Sequence, residues 1–509
     1  MICLIQNVED YNNDFRVMLQ AFYPGVRIII PDVFKSKPEL KAEIELVLKA
    51  DIANDRIDIA LYDLQGVELD DNDMPYLSGI ACENTGIDVA GDYTNKAAVR
   101  NPLKLAIYRL LSKRTGRVLP WGTLTGIRPT KIAMEAIMRG CHDEKIVADY
   151  ETIYSTSKEK ARLSVEVAHR EKKIIDSVKE EEEYCLYIGI PFCPSRCLYC
   201  SFTSYPIALY RDKVDTYLDA LEQEMQYVAN AYSHKRLISV YIGGGTPSSI
   251  EAHDMDRLCT MVAHYFDMSS VREFTIEAGR PDSITMDKLL VMKRHKVSRI
   301  SINPQTMNDE TLKLIGRAHT GKQTVEVMTM ARDAGFENIN MDLIVGLPGE
   351  NAESCKNTLE QINDLKPESL TVHSLAIKRA ANLNIRMEAY KDKLGNDIES
   401  QLCLVDSYAR AMSLNPYYLY RQKNIAGNLE NVGYSKNGLE CLYNILIMEE
   451  RTDIIGLGAG SSSKLVFRKG QRGVTDGTRI ERVENCKSVD DYITRIDEMI
   501  ARKKNGFIA

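Results

Sequence analysis

The most regular feature of the sequence is an alternation of short apolar segments with longer amphipathic ones, which begins after residue 183. Runs of Val, Ile, Leu and Tyr followed by apolar residues at helical spacing predict strands that alternate with helices. The predicted strands are Tyr184–Ile190, Leu237–Ile242, Glu273–Ala278, Arg299–Ile302, Asn338–Ile344 and Ser369–Leu375. The predicted helices between them are Leu209–Ala231, Ala252–Phe266, Met286–Arg294, Gln323–Ala334 and Ala352–Leu365. Strands joined through helices pair in parallel, so we expect an α/β fold. It is either an open, partial (β/α)6 barrel or a closed one, with its active site at the C-terminal strand ends.

The segments on either side of this alternation have different patterns. Before it, strand-like pieces at Val26–Ile30 and Ile57–Tyr62 precede helical patterns at Lys96–Thr115 and Lys131–Arg139, and a charged helical stretch over 144–178 ends at four consecutive glutamates. After it, a glycine-rich turn at Gly456–Gly460 lies within a mixed pattern that a helix near 489–503 closes. We predict an N-terminal α/β domain over 1–180, the barrel over 181–375 and a C-terminal α+β extension over 376–509.

Composition and charge limit the classes of function. The chain has 509 residues, of which 44% are hydrophobic and 27% charged, a profile typical of globular proteins with two or three domains. The net charge of −7 argues against nucleic-acid binding through bulk electrostatics. No apolar run approaches the ~20 residues that span a bilayer, and the first residues lack the pattern of a signal peptide, so we expect a cytoplasmic protein.

Three of the twelve cysteines lie close together, directly after the first predicted barrel strand. Cys193, Cys197 and Cys200 form a C-x3-C-x2-C motif, whereas the other nine are scattered and predict inert buried thiols. A structural zinc site is the alternative, but closed zinc sites need four ligands, and no Cys or His lies between Cys200 and His234. Three thiolates instead leave one iron of a [4Fe–4S] cluster open for a small chelating ligand.

The segment around these cysteines resembles the radical S-adenosylmethionine enzymes. Tyr187-Ile-Gly-Ile-Pro-Phe-Cys193, Cys197-Leu-Tyr-Cys200 and the later Gly243-Gly-Gly-Thr-Pro247 are similar to the oxygen-independent coproporphyrinogen III oxidases (dehydrogenases). The segments Pro120–Pro129 and Tyr417–Lys423 resemble the HemZ-type subgroup, which carries an extra N-terminal domain. The resemblance implies a [4Fe–4S] cluster on the three cysteines, with S-adenosylmethionine chelating the open iron.

The resemblance also implies the residues that contact the cofactor. Tyr187 lies near the sulfonium, where an aromatic face attracts a cation. The glycine motif binds the methionine amino group, Arg317 faces its carboxylate, Gln305 and Asp342 lie near the ribose, and Ile344 lies against the adenine. The implied cofactor-binding set is Tyr187, Phe202, Gly244, Gly245, Thr246, Glu277, Gln305, Arg317, Asp342, Ile344 and His373, and the implied catalytic set is Cys193, Cys197, Cys200 and Tyr187.

The reaction implied by the resemblance is oxygen-independent oxidative decarboxylation of coproporphyrinogen III to protoporphyrinogen IX by a 5′-deoxyadenosyl radical, within haem biosynthesis. Its partners would be the porphyrinogen and a low-potential electron donor such as flavodoxin or ferredoxin. Lys378, Arg379 and Arg421 are candidates to bind the substrate carboxylates. Two departures from the best-studied members, Gly189 in place of a histidine and Phe202 in place of a fourth cysteine, leave two alternatives open: a haem-trafficking protein that keeps the cluster, and an enzyme that opens the haem ring.

Overall fold

A computed structural model describes most of the chain and divides it into two compact units. The described residues are 1–63, 68–69, 75–76, 83–88, 95–126, 128–202, 204–376, 383, 397–421 and 428–507. The first unit comprises Met1–Val165 with Arg421–Leu429, and the second comprises Glu166–Tyr420 with Glu430–Ala509. Within the described part of the chain, no helix has both the length and the apolar character needed to cross a bilayer.

The first unit is built on a mixed sheet covered by helices. Its strands are β1 Ile2–Gln6, β2 Ile28–Ile29, β3 Leu46–Ile52, β4 Arg56–Asp63, β5 Glu68–Leu69, β6 Pro75–Tyr76 and β7 Glu83–Asp88. The helices that begin in it are α1 Asn12–Phe22, α2 Val33–Ser36, α3 Lys96–Thr115, α4 Thr130–Met138, α5 Asp143–Tyr154 and α6 Lys158–Ile175. The main sheet has the order β2-β1-β3-β4-β7, with β1 parallel to both neighbours and the others antiparallel. Its apolar face packs against α1 and α3 around Phe15, Leu48 and Leu103.

The single charged helix expected over 144–178 is two helices. Between α5 and α6 the chain turns at Ser155, which has a φ of 52° in the left-handed region. The turn is held by hydrogen bonds from the Thr156 amide to the Tyr150 carbonyl and from the Ser157 amide to the Pro120 carbonyl. The sequence contains no glycine or proline at this point, so helical periodicity alone did not indicate the break.

The second unit contains six parallel strands with helical crossovers, which confirms the predicted partial (β/α)6 barrel. The strands are β8 Glu183–Ile190, β11 Arg236–Gly244, β12 Glu273–Gly279, β13 Arg299–Gln305, β14 Ile339–Val345 and β15 Ser369–Ser374. Two short parallel strands, β9 Phe192–Cys193 and β10 Tyr205–Pro206, follow β8. The helices are α7 Val214–Ala231, α8 Ala252–Tyr265, α9 Met286–Arg294, α10 Asp309–Leu314, α11 Gly321–Asp333 and α12 Ala352–Leu365.

The C-terminal residues extend the barrel sheet at both of its edges. Their strands and helices are α13 Ile398–Ala411, β16 Asn415–Tyr420, β17 Asn431–Ser435, α14 Leu442–Glu449, β18 Asp453–Leu457, β19 Ser462–Arg468, β20 Thr478–Glu484, α15 Val489–Thr494 and α16 Ile496–Phe507. At one edge β17 pairs antiparallel with β15, and at the other β18 pairs parallel with β8. These residues therefore share one sheet with the barrel, although the sequence pattern suggested a C-terminal segment of its own from residue 376.

The two faces of β8 separate as its alternation predicts. Leu186, Ile188 and Ile190 are fully buried in the large apolar core that the barrel helices cover. Tyr187 lies on the opposite face of the strand, toward the barrel interior, where its ring stacks on Tyr443 of α14. Helix α14 therefore reaches the interior of the barrel, a position that the sequence pattern did not predict.

A buried polar network fixes the turn that follows β18. Glu224 of α7 and Lys503 of α16 form an ion pair at 2.7 Å with both side chains 0% exposed. The second Glu224 oxygen accepts hydrogen bonds from the Gly458 amide and the Tyr492 hydroxyl. Because a buried pair with each charge hydrogen-bonded is costly to break, this network holds the Gly458 turn against the end of β8.

Candidate active site

The cysteine motif lies in the loop that leaves the C-terminal end of β8. Cys193 and Cys197 are buried, and Cys200 is half-buried. Burial has the largest effect on the pKa of the Cys193 thiol, which it raises, and the nearby thiols of Cys200 and Cys197 raise that pKa further. Within the described residues no three His, Cys, Asp or Glu side chains are close enough to share one metal ion. A cubane binds its three thiolates through three different irons, so it does not require them to share an ion.

The glycine motif at the end of β11 packs directly against the start of this loop. The Gly245 amide donates to the Ile190 carbonyl at 2.8 Å, and the Thr246 amide donates to the Phe192 carbonyl at 2.7 Å. A Cβ on Gly245 would lie 2.5 Å from the Phe192 oxygen, so only glycine permits this approach. Gly244 has a φ of 111°, and the Thr246 hydroxyl lies 3.5 Å from the Cys193 sulfur. The motif therefore joins the second strand to the cysteine loop, which adds a structural reason to the expected ligand contact.

Three tyrosine rings form a stack inside the barrel beside the cysteine loop. Tyr187 stacks on Tyr241 with ring centroids 6.1 Å apart and on Tyr443 at 5.9 Å, and Tyr241 stacks on Tyr443 at 4.5 Å. Burial raises the pKa of all three phenols above the ordinary value, so each is neutral at physiological pH. Two further aromatic rings therefore lie against Tyr187, the residue that the resemblance places beside the sulfonium.

Two carboxylates lie next to this stack on neighbouring parts of the sheet. Glu277 accepts a hydrogen bond of 2.7 Å from the Tyr241 hydroxyl, and Asp342 accepts one of 2.7 Å from the side-chain amide nitrogen of Asn340. Burial raises the pKa of Glu277 to about 7, and the negative charge of Asp342 adds to the effect. Glu277 is therefore near its midpoint at neutral pH, and a polar ligand that donates hydrogen bonds would stabilise its anion.

Gln305 and Arg317 offer buried polar atoms that the described residues leave unsatisfied. Gln305 ends β13 with a φ of 70°, and its amide oxygen has no hydrogen-bond partner among the described residues. The Arg317 guanidinium is buried, donates to the Asn303 carbonyl and interacts with Tyr199 and Cys197, but its Nε has no partner in the same set. Buried polar atoms of this kind are rare unless a ligand satisfies them, so both residues fit a site for a polar cofactor.

Three further residues of the expected set lie around the same strand ends in different environments. His373 of β15 has Nδ1 at 3.2 Å from the Tyr420 hydroxyl and Nε2 at 4.0 Å from Asp342. Ile344 is buried in a small apolar cluster that includes Leu198 of the cysteine loop. Phe202 is 66% exposed, so its ring lies outside the buried part of the site.

Of the three candidates for binding substrate carboxylates, the structure describes only Arg421. Arg421 belongs to the first unit, where it donates to the carbonyls of Leu124 and Asn428 and lies 5.6 Å from the Trp121 ring. Lys378 and Arg379 lie outside the described residues. The structure thus gives Arg421 a role in packing the first unit.

Sequence reasoning missed three residues that the structure brings to the site. Tyr241 had an available signal, because it lies two residues before Gly243 and so shares the strand face of the glycine motif. No sequence signal was available for Tyr443 or Arg280. Tyr443 lies on α14, which is distant in sequence from the cysteine loop, and Arg280 lies in a loop with no recognised motif. Arg280 donates to Ser195 and approaches the Cys197 sulfur.

Comparisons with known proteins agree with this arrangement. A family model of the radical SAM superfamily matches residues 187–362. The chain is 41% identical over 419 residues to the "Oxygen-independent coproporphyrinogen-III oxidase-like protein HemZ" of Bacillus subtilis, covering 81% of this chain and 82% of that protein. It is 32% identical over 325 residues to the "Heme chaperone HemW" of Lactococcus lactis, covering 63% of this chain and 78% of that protein. The structure of coproporphyrinogen III oxidase (HemN) from Escherichia coli matches with a TM-score of 0.51 at 21% identity, over 65% of this chain and 73% of that one, and supports the fold.

Proposed function

Because the chain belongs to the oxygen-independent coproporphyrinogen-III oxidase-like family of the radical SAM superfamily, we propose that it decarboxylates coproporphyrinogen III to protoporphyrinogen IX without oxygen. The observation that carries the proposal is the 41% identity to the HemZ protein over 82% of that protein's length. Members of the superfamily use a [4Fe–4S] cluster and S-adenosylmethionine, which together supply a radical able to abstract hydrogen from a carbon atom.

The residues of the second unit fit this pair of cofactors. Cys193, Cys197 and Cys200 would hold the cluster, and three thiolates leave one iron for the methionine group. Arg317 would bind the methionine carboxylate, since its buried Nε has no partner among the described residues. The Gln305 amide oxygen, unsatisfied in the same way, would accept a hydrogen bond from the nucleoside.

The rest of the site would orient the nucleoside and exclude water. The stacked rings of Tyr187, Tyr241 and Tyr443 would attract the sulfonium cation through their aromatic faces and keep solvent from the reacting atoms. Hydrogen abstraction requires a substrate carbon roughly 3–3.5 Å from the reacting carbon of the cofactor. A propionate side chain entering from the C-terminal strand ends would have to reach that point, with its β-carbon facing the nucleoside.

A second candidate, haem trafficking, is favoured by the relatives named haem chaperones. The Lactococcus lactis protein of that name is 32% identical over 78% of its length. A carrier would keep the cluster but would not need a substrate carbon next to the cofactor. For both candidate functions, decarboxylation and haem trafficking, we also propose a low-potential electron donor and a cytoplasmic location.

The test is anaerobic product analysis on reconstituted protein. We expect coproporphyrinogen III, a low-potential reductant and S-adenosylmethionine to give a tripropionate monovinyl intermediate and then protoporphyrinogen IX. Substrate deuterated at the propionate β-carbons should transfer deuterium to 5′-deoxyadenosine. The Cys197→Ala variant should lose both the cluster, about four irons per chain, and all product, whereas Cys259→Ala, a buried cysteine in the apolar core, should keep both.

The alternatives give different results in the same experiment. Tight haem binding with unlabelled 5′-deoxyadenosine and no vinyl product would replace decarboxylation with haem trafficking. A linear tetrapyrrole formed from haem would replace it with ring opening. Zinc at full occupancy, with no iron–sulfur absorption in protein purified anaerobically, would overturn the cluster assignment itself.

A further inference from the structure

Arg280 lies in the loop after β12 and contacts the cysteine loop from the side. Its side chain is 3% exposed. One terminal nitrogen donates to the Ser195 hydroxyl at 2.7 Å and to the Ser195 carbonyl at 3.1 Å, and it lies 3.8 Å from the Cys197 sulfur. One terminal nitrogen of the guanidinium thus binds the loop between Cys193 and Cys197 and lies next to the Cys197 sulfur.

The other edge of the same guanidinium is fixed by an acidic partner. Nε and the second terminal nitrogen donate to the two oxygens of Asp282 at 2.9 and 2.6 Å, a bidentate arrangement that locks the plane of the group. Asp282 is two residues along the same loop, and its side chain is 16% exposed. The ion pair between Arg280 and Asp282 therefore fixes the orientation of the guanidinium toward Cys197.

Ser195 also links the cysteine loop to the segment before Arg317. Its hydroxyl donates to the Gly316 carbonyl at 3.2 Å, and the neighbouring Leu198 amide donates to the Ile315 carbonyl at 3.0 Å. The cysteine loop is thereby held from two sides, by Arg280 on one and by residues 315–316 on the other.

We propose that Arg280 is a positioning residue for the iron–sulfur cluster, one that fixes the cysteine loop and, with Asp282 as its counter-charge, sets the reduction potential of the cluster. Reduction adds a negative charge to the cluster, and a buried cation next to a coordinating sulfur stabilises that added charge. Hydrogen bonds and charges at the sulfurs are among the main determinants of such potentials. The inference does not depend on which tetrapyrrole the protein acts on.

The pair predicts opposite effects for two substitutions. Arg280→Gln removes the cation, so the reduced cluster should become less stable and the midpoint potential more negative. Asp282→Asn removes the counter-charge and leaves the cation in place, so the midpoint potential should become less negative. For Arg280→Gln we expect the ratio of reduced to oxidised cluster at a fixed solution potential to fall about tenfold, which corresponds to about 59 mV for one electron.

The measurement is a redox titration of anaerobically reconstituted protein, followed by the electron paramagnetic resonance of the reduced cluster, together with iron content per chain. Arg272→Gln is the matched control, because Arg272 lies just before β12 as Arg280 lies just after it, and it donates to Ser177 far from the cysteine loop. Arg272→Gln should leave both readouts unchanged.

The outcomes separate an electrostatic role from a merely structural one. Arg280→Lys retains the charge without the bidentate fork, so it should lose iron more readily while holding a potential near that of the wild type. Should Arg280→Gln fail to retain a cluster, Asp282→Asn still reports the sign of the charge effect. Unchanged potentials in both Arg280→Gln and Asp282→Asn, or shifts in the same direction, would overturn the proposal.

Discussion

Strand β12 carries two glutamates on the same face, four residues apart, and the barrel treats them differently. Glu273, at the N-terminal end, is buried and accepts hydrogen bonds from the Leu442 amide at 3.0 Å and the Tyr443 amide at 3.4 Å, at the start of α14. Glu277, toward the C-terminal end, accepts one from the Tyr241 hydroxyl and faces the charge of Asp342. The same residue type therefore accepts hydrogen bonds from a helix start at one end of the barrel and has a raised pKa at the other.

The two carboxylates differ in the groups that donate hydrogen bonds to them. At the N-terminal end backbone amides at a helix start satisfy the carboxylate, and Arg299, itself buried, lies within electrostatic range. At the C-terminal end burial and a like charge raise the pKa of Glu277 to about 7. A polar interior alone does not identify an active site, whereas a buried carboxylate with a strongly perturbed pKa is a candidate for one.

In the comparison of Glu273 with Glu277, the largest expected effect of a substitution is on folding stability. Glu273→Ala leaves the buried amides of α14 without their acceptor and the Arg299 cation without its nearby carboxylate, so we expect the free energy of unfolding to fall by about 3–5 kcal/mol. Urea unfolding of the cluster-free protein measures it. Iron content of the folded fraction should stay at the wild-type value, and a loss below about 1 kcal/mol would contradict a structural role for Glu273.

A second, smaller effect depends on pH. The folded pKa of Glu277 is raised from 4.5 to about 7, so the folded state binds its proton more tightly than the unfolded state does. Its contribution to stability is then fully present below about pH 4.5 and is lost as the pH rises through about 7. At about 1.4 kcal/mol per pK unit, the stability difference between the wild type and Glu277→Gln should change by about 3 kcal/mol over this window.

Urea unfolding of cluster-free protein at a series of pH values checks this. Tyr241→Phe removes the hydroxyl that stabilises the Glu277 anion, so it should move the upper limit of the window to higher pH. A stability difference between wild type and Glu277→Gln that is flat from pH 4.5 to 8 would show that Glu277 is not perturbed in this way.

The smallest effect is on cofactor affinity. Arg317→Ala removes a charge-assisted contact, so binding of S-adenosylmethionine should weaken by about 1.5–3 kcal/mol, which raises the dissociation constant roughly 10- to 150-fold. Calorimetric titration of reconstituted protein measures it. The matched control is Arg294→Ala at the end of α9, which removes an exposed ion pair with Asp256 of α8 and should leave the affinity unchanged. Equal affinity in both variants would remove Arg317 from the site.

The barrel was predictable because its periodicity is strong and local. Helix α12 has the predicted bounds of Ala352–Leu365, and β12 extends only one residue beyond the predicted Glu273–Ala278. The cysteine motif, too, is contiguous in sequence, so its spacing and the resemblance together predicted an iron–sulfur cluster. The specific reaction does not follow from the sequence, because an oxidase-like protein and a haem chaperone both match this chain.

What the sequence did not predict depends on long-range packing. Cys197 and Arg280 are 83 residues apart in the sequence, and Tyr443 joins the tyrosine stack from a helix that follows the sixth barrel strand. Arg421 was expected to bind a carboxylate, but its charge is placed against carbonyl oxygens and the Trp121 ring. Neither periodicity nor residue type distinguishes these alternatives, since each depends on which elements meet in space.

The pairing of β8 with β18 has a consequence for the order in which the protein is made. The strand that carries the cysteine loop ends at Ile190, and its neighbour on one side begins at Asp453. At about 5–20 residues per second, the ribosome reaches that neighbour about 13–50 s after it completes β8. Through this interval the nascent chain carries an unpaired strand edge beside its three reactive thiols, a state open to mispairing and oxidation. We therefore expect the cluster to be inserted after translation has passed β18, when this edge of the sheet is closed.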